Sequence, residues 1–327
     1  MSTSAIVAQS DLLKQVASCS YTPTSPVNPD ALDIYSWSKI FENVASSIPL
    51  RKALEFKTLH SEAYNAVNRA FRKVRKLKIQ ILEDKIDAKK ISYIVQDSTT
   101  KNGKTAVEMV RYVLANLKCL KHLEIYFEDH NIQILNDILD EVVKSENVKL
   151  EILQVRRRHG GQAVLKIGDI IRSNASTLRE ISRIGISEAS YGFTDKVSLD
   201  RFGCMSFDLA FLTNQIPYHM IKISESGAKF KSFSFTSISG FDPREQVVQN
   251  MIERAETANM KLTMMNPPRL NHRQGFMVSK VRCVKKIEIV EIVPEPQRIN
   301  KLCMCRHVFE EVFPSASDNL IFLQQWN

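Results

Sequence analysis

The chain has 327 residues, of which 44% are hydrophobic, so it can bury two average domains or one long repeat array with a small additional module. Its first residues lack the apolar run of a secretory signal, and no stretch approaches the roughly 20 apolar residues that a membrane span needs. We therefore expect a cytoplasmic or nuclear protein without a membrane partner. The formal net charge of +9 favours acidic partners.

Two segments precede the main pattern of the chain. Residues 1–29 are rich in Ser, Thr and Pro and lack a sustained apolar period, which predicts a flexible tail. Residues 30–72 carry apolar residues at steps of three and four, interrupted at Pro49, which predicts two or three short packed helices. Residues 73–327 follow a different pattern and are expected to form a separate domain.

From Val74 onward the chain repeats a six-residue phrase whose first, fourth and sixth positions are apolar. The clear copies are VRKLKI, LKHLEI, LEILQV, ISRIGI, FKSFSF and VKKIEI, which begin at residues 74, 120, 150, 181, 230 and 284. Weaker copies begin at Ile91, Phe202 and Met260. The two-residue spacing of the last two apolar positions is typical of a strand with one buried face. Several intervening segments have helical apolar stripes, one of them over residues 247–255, so strand and helix alternate.

This alternation predicts an α/β solenoid. A single strand and helix cannot bury their apolar face, whereas stacked copies share a core between parallel strands and outer helices. The phrase resembles the L-x-x-L-x-L segment of leucine-rich repeats over about residues 74–292. The Asn or Cys that the family usually has a few residues later is mostly missing. The alternative is an ordinary α/β sheet whose strands are alike by chance.

Residues 32–44, LDIYSWSKIFENV, resemble the opening of an F-box, L-P-x-E-I-L-x-x-I-F-x-x-L. Asp33, Tyr35 and Ser36 stand where that pattern has Pro, Glu and Ile. A helical module directly before a leucine-rich-repeat array is the layout of F-box/leucine-rich-repeat proteins, including the expanded families of nematodes. The resemblance implies that the module docks on a Skp-type adaptor of a cullin-based ubiquitin ligase, while the repeats bind the protein to be ubiquitinated. The adaptor-binding positions that it implies are Leu32, Trp37, Ile40, Phe41, Pro49 and Leu50.

The same apolar residues also suit a structural role, because the terminal repeats of a solenoid need a cover. In that alternative, the helices only cap the array and the protein is an interaction scaffold without a link to a ligase. Neither reading requires catalysis, and no motif for hydrolysis is present, so we expect no enzyme and no cofactor.

The polar positions of the six clear phrases are expected to point away from the core, onto the concave surface that solenoids use for binding. Three of them are acidic, namely Glu124, Glu151 and Glu288. The basic ones are Arg75, Lys76, Lys78, Lys121, Arg183, Lys231, Lys285 and Lys286. This excess predicts an acidic or phosphorylated protein target. The alternative is a sheet face that is only solvated.

Residues 98–105, STTKNGKT, resemble a nucleotide-binding Walker A loop, with Ser98 in place of its first glycine. Glu128 and Asp129 are the nearby candidates for a magnesium-binding motif. Because the same strand, loop and helix recur along the chain without Gly-Lys-Thr, we interpret this segment as an ordinary loop of the array.

Basic runs at residues 69–78 and 156–158 support a third hypothesis, the binding of RNA or DNA. Base recognition would also need exposed aromatic residues, but Phe230, Phe233 and Phe235 stand at core positions of the phrase. We therefore rank nucleic acid below a protein target.

Six cysteines are spread along the chain, which without a secretory signal is typical of reduced thiols. The only close pair is Cys303 and Cys305, with His307 two residues further on. This cluster could offer three zinc ligands, but structural zinc sites take a fourth ligand and have more residues between paired cysteines. We expect core or surface thiols and no metal site.

Overall fold

The computed structural model describes most of the chain. The described residues are 34–48, 50–83, 90–118, 120–128, 132–157, 164–206, 215–237, 246–264, 280–293 and 309–326. They belong to two compact units, which divide between Lys73 and Val74. In this described part, no helix is both long enough and apolar enough to cross a membrane. The predicted tail, residues 1–29, lies outside the described residues.

The first unit is helical. Helix α1 covers Ile34–Ser47, α2 covers Leu50–Phe56 and α3 covers Ser61–Lys73. Helix α3 packs against α1 and buries one side, which consists of Ala63, Ala66, Val67, Ala70 and Phe71. At the start of α3, His60 Nδ1 accepts a hydrogen bond from the Glu62 N–H at 3.1 Å. The basic residues in its last turn interact favourably with the negative end of the helix dipole.

The second unit contains an eleven-stranded sheet. Its strands are β1 Lys76–Glu83, β2 Ile91–Val95, β3 Ser98–Thr100, β4 Leu120–Phe127, β5 Val148–Arg157, β6 Glu180–Gly185, β7 Ser198–Ser206, β8 Lys229–Ser237, β9 Ala255–Met264, β10 Val284–Val293 and β11 Leu320–Trp326. The strand order is β11-β10-β9-β8-β7-β6-β5-β4-β1-β2-β3. All neighbours pair in parallel except β1 with β2 and β2 with β3. Each parallel strand therefore lies beside the parallel strand that precedes it in the chain.

Helices connect most of the parallel strands. They are α4 Gly103–Asn116, α5 Ile132–Lys144, α6 Leu165–Ser173, α7 Ile186–Gly192, α8 Gln215–Glu225 and α9 Gln246–Ile252. Consecutive helices contact one another and form a row. A 3-10 helix, Pro314–Asn319, precedes β11. The unit is thus an α/β structure with a mostly parallel sheet, as the sequence predicts.

The side chains of each strand divide between a buried and a more exposed face of the sheet. In β1, Leu77, Ile79 and Ile81 are at most 2% exposed, whereas Lys76 and Lys78 lie on the other face. The first and fourth phrase positions are an odd number of residues apart, so a regular strand would direct them to opposite faces. The pairing register shifts within three of the phrases, between residues 120 and 122, 181 and 184, and 284 and 286, and the first apolar position is buried in each.

Two details of the predicted pattern are wrong. Ile91 does not begin a further parallel strand, because β2 turns back on β1 and pairs with it antiparallel. The two-residue turn between β2 and β3 has Gln96 at a φ of 60°, which reverses the chain again. The helical stripe over residues 247–255 ends early, since α9 stops at Ile252 and Ala255 already belongs to β9.

Candidate binding surfaces

The face of the sheet opposite the buried apolar residues, here called the polar face, carries the predicted basic residues. Lys78 and Lys121 are half-buried and the other six are exposed. Arg75 precedes β1, and the rest lie on β1, β4, β6, β8 and β10. Seven strand spacings separate β1 from β10, a distance of about 34 Å at the usual spacing of about 4.8 Å. The eight residues are therefore spread along the sheet and do not form one cluster.

Three of the predicted cations form ion pairs with carboxylates on a neighbouring strand. The pairs are Lys76–Glu124 at 2.8 Å, Lys121–Glu151, and Lys231–Asp200 at 2.6 Å. The hydrogen bond from Lys76 lowers the pKa of Glu124, and that from Lys231 lowers the pKa of Asp200. These pairs reduce the positive charge that a ligand would meet at Lys76, Lys121 and Lys231.

Further charged residues of the polar face are not visible in the clear sequence phrases. Lys261 Nζ lies 2.6 Å from Glu288 Oε1 and lowers the pKa of that carboxyl by hydrogen bonding. Arg201 Nη1 lies 3.8 Å from Glu180 Oε2. Lys261 belongs to β9, and Asp200 and Arg201 belong to β7. The sequences of these two strands match the six-residue phrase only weakly. These charged residues alternate with apolar residues that are buried, such as Phe202, and this alternation is the sequence signal that could have placed them on the polar face.

Between β6 and β10, one row across the polar face has cations at its ends and neutral residues between them. Beyond β6 the same register continues from Ser182 to Gln154 on β5 and to Glu124 on β4. Ser182 and Arg183 of β6 lie opposite Gly203 of β7, because the β6–β7 register shifts there. From Gly203 the row continues through the paired residues of β8, β9 and β10. The residues that we call the central row are Arg183, Gly203, Ser234, Asn259 and Lys286.

In the first unit, three of the predicted adaptor-binding residues lie on α1. Trp37, Ile40 and Phe41 are half-buried. The Trp37 and Phe41 rings stack at 5.6 Å, and Phe41 also packs edge-on against the buried Phe56 at 5.5 Å. Leu50 is the first residue of α2, while Leu32 and Pro49 lie outside the described residues.

Close to this aromatic cluster in sequence, the first unit has two large exposed residues that the F-box pattern does not single out. Leu59 is 55% exposed and Tyr64 is 49% exposed. The Lys57 ammonium lies 4.3 Å from the centroid of the Tyr64 ring, a cation–π distance. The carboxylate of Glu42 on α1 meets Arg69 at 3.3 Å and also pairs with Lys73, which ties α1 to α3.

The Gly-Lys-Thr segment forms the start of α4. The Asn102 side chain caps this helix by accepting hydrogen bonds from the N–H groups of Lys104 at 2.9 Å and Thr105 at 3.3 Å. A phosphate at a helix start would use such N–H groups, and here the cap already bonds them. Glu128, a candidate magnesium ligand, is buried and accepts a hydrogen bond from the Glu83 N–H at 2.8 Å. Asp129 lies outside the described residues.

The aromatic and basic residues that were considered for nucleic-acid binding differ in their exposure. Phe230, Phe233 and Phe235 are at most 2% exposed, so their rings cannot stack on bases. Arg156 is exposed, while the Arg157 side chain is mostly buried and lies 3.7 Å from Glu188.

No group of His, Cys, Asp or Glu within the described ranges could hold a metal ion. Cys303, Cys305 and His307 fall outside those ranges. Cys204 is fully buried, and burial raises the pKa of its thiol. In comparisons with known proteins, no family model matches the chain and no curated protein matches it.

Proposed function

We propose that this chain is a substrate-recognition adaptor of a cullin-type ubiquitin ligase. In this proposal, the second unit is a leucine-rich-repeat-like solenoid that binds an acidic or phosphorylated protein target. The first unit is an F-box-like module that docks on a Skp-type adaptor and thereby joins the cullin scaffold. The observation that carries the binding role is the polar face of the parallel sheet.

Parallel sheets usually have both faces covered by helices, so that their strands are apolar on both sides. Here the strands are apolar on one side and carry polar and charged residues on the other, from Lys76 on β1 to Glu288 on β10. A broad parallel face of this kind is what solenoid proteins offer to macromolecular partners. It supports a role in binding a protein.

The adaptor-binding role is supported by the apolar side chains of the first unit. Trp37 and Phe41 are large aromatic residues that are only half-buried, and Leu59 is mostly exposed. Aromatic residues of this kind are enriched at the centres of protein interfaces. The F-box-like pattern of residues 32–44 adds the expectation that the partner is a Skp-type adaptor.

A pull-down of the full chain with a purified Skp-type adaptor tests this role. We expect the wild-type chain to bind and the double variant Trp37→Ala, Ile40→Asp to lose binding. The variant Lys52→Asp, a change at an exposed residue of α2, is the matched control and should bind like the wild type. Absence of binding by the wild-type chain, or binding by a folded double variant, would contradict the proposal.

An interaction scaffold without a ligase link is the second candidate. It is favoured by the packing of Phe41 on Phe56 and on His60 at 6.2 Å, because these contacts give a predicted adaptor residue a structural role within its own unit. In this case the helices serve as a cap for the array. Deletion of residues 1–73 should then abolish the cooperative thermal unfolding of the remaining chain, whereas an independent docking module could be removed with little change.

A further inference from the structure

We propose that the central row binds a segment of the target that carries two phosphate groups and crosses the strands in an extended conformation. This inference rests on the proposed function, because it specifies the chemistry that the polar face would recognise.

The central row differs from the rows on either side of it in its charges. The neighbouring rows contain Arg201 beside Glu180 and Lys261 beside Glu288. The five residues of the central row include no carboxylate. Arg183 and Lys286 form no ion pair with a described residue, although the charge of Lys286 also lowers the pKa of Glu288 on the same strand. Two cations without a fixed counter-ion attract an anionic ligand more strongly than cations that are already paired.

Both ends of the central row lie beside an irregularity of the sheet. In β6 the register shifts between Ile181 and Ile184, and in β10 it shifts between Val284 and Lys286. Bulges of this kind redirect side chains, and they are common beside binding sites. Arg183 has a φ of 60°, which is uncommon for a residue other than glycine. Arg183 and Lys286 form no ion pair with a described residue at these irregularities, whereas Lys121 at the corresponding shift of β4 pairs with Glu151.

The middle of the row is small and neutral. Gly203 has no side chain, and the Ser234 hydroxyl occupies part of the space above it, since a Cβ atom at Gly203 would come 2.9 Å from Ser234 Oγ. The Ser234 and Asn259 side chains are exposed and can donate hydrogen bonds. A phosphate group has three acceptor oxygens and nearly two negative charges at neutral pH, which suits an arginine or lysine with nearby neutral donors better than a single carboxylate does.

The register sets the spacing of the two phosphates. Arg183 and Lys286 are separated by four strand spacings, from β6 to β10, which correspond to about 19 Å. An extended peptide advances about 3.3 Å per residue, so two phosphorylated residues about six positions apart span this distance. An even separation also directs both phosphates to the same side of an extended chain.

Binding of synthetic phosphopeptides to the full chain tests the proposal. Fluorescent peptides of one serine-rich sequence would carry one phosphoserine, two that are about two positions apart, or two that are about six positions apart. We expect fluorescence anisotropy to give an affinity for the widely spaced peptide roughly tenfold above that for the single phosphopeptide. Arg183→Glu and Lys286→Glu should each reduce binding of the widely spaced peptide to the level of the single phosphopeptide.

Lys144→Glu makes the same charge change at an exposed residue of α5 and should leave binding unchanged. Thermal melts establish that each variant is folded, and the two end variants test the row independently. No peptide binding, equal affinity for all spacings, an equal loss in Lys144→Glu, or equally tight binding of glutamate-substituted peptides would overturn the proposal.

The adaptor pull-down separates this proposal from the proposed function. Adaptor binding without a preference for widely spaced phosphates would overturn the phosphopeptide site alone. Spacing-dependent peptide binding without adaptor binding would support the site and overturn the ligase role.

Discussion

Arg157 Nη1 of β5 lies 3.7 Å from Glu188 Oε1 of α7, and the two side chains are only 11% and 3% exposed. Glu188 also accepts hydrogen bonds from the Val164 N–H at 3.1 Å and from Ser187 Oγ at 2.9 Å. The Arg157 guanidinium lies 5.5 Å from the centre of the Phe127 ring. One buried carboxylate therefore joins the end of a strand, the residue before α6 and the first turn of α7.

We predict that Glu188→Ala lowers the free energy of unfolding by about 3 kcal/mol, because removal of one partner leaves the buried charge of Arg157 without this carboxylate. The Val164 N–H also loses its acceptor. Urea denaturation measures the change. Glu146→Ala, at an exposed residue before β5, is the control and should change stability by less than about 0.5 kcal/mol. Equal losses in the two variants would show that Glu188 has no special role.

Gly185 is closely packed against the same carboxylate. A Cβ atom at this position would lie 2.0 Å from Glu188 Oε2, so Gly185→Ala must displace the Glu188 side chain. We predict a loss of about 2 kcal/mol from this overpacking. Because the clash is with Glu188, the double variant with Glu188→Ala should lose less stability than the sum of the two single changes. Additive losses in the double-mutant cycle would contradict this explanation.

Asn174 connects a helix to a strand through its buried amide. Its Oδ1 accepts a hydrogen bond from the Leu150 N–H at 2.8 Å, and its Nδ2 donates to the Ile170 carbonyl at 3.0 Å. We predict that Asn174→Ala costs about 2 kcal/mol, because the Leu150 N–H loses its acceptor in the interior. The Ile170 carbonyl loses one donor but keeps the hydrogen bond from the Asn174 backbone N–H. Asn147→Ala removes an exposed side chain and serves as the control. Thermal denaturation of both variants would show whether the loss is confined to Asn174.

The strands could be predicted because burial on one side leaves a pattern in the sequence. Leu123 and Ile125 are fully buried, and Phe233 and Phe235 are at most 2% exposed, each pair at the two-residue spacing of the phrase. The same spacing could not indicate pairing partners. Ile91 begins a strand as the phrase suggests, but that strand pairs antiparallel with both β1 and β3.

The polar interactions could be predicted only in part, because they depend on the register between strands. Lys231 and Asp200 are 31 residues apart in sequence and meet only when β7 and β8 are aligned. In the sequence, Asn174 looks like any polar residue between a helix and a strand. Its hydrogen bond with the Leu150 N–H becomes apparent only in the folded structure. The position of Arg183 in the phrase predicted that its side chain is exposed. The phrase did not predict the register shift at this position or the φ of 60°.

His122 of β4 lies on the polar face, with a buried Nε2 that has no hydrogen-bond partner among the described residues. Burial is the main cause that lowers the pKa of His122 below its ordinary value of 6.5, and the charge of Lys76 on β1 lowers it further. A hydrogen bond with Gln154 on β5 and the charges of Glu124 on β4 and Glu180 on β6 act in the opposite direction.

Because the pKa of His122 is lower in the folded chain than in the unfolded chain, the unfolded chain takes up the proton first as the pH falls. The contribution of neutral His122 to stability is therefore complete above about pH 6.5 and decreases as the pH falls towards the folded pKa. We predict that the wild-type chain loses more unfolding free energy between about pH 8 and about pH 5 than His122→Gln does. Lys76→Met, which removes the repulsive charge, should raise the pKa of His122 in an NMR titration. A His122→Gln variant whose stability falls as steeply as that of the wild type would assign the acid sensitivity to other groups.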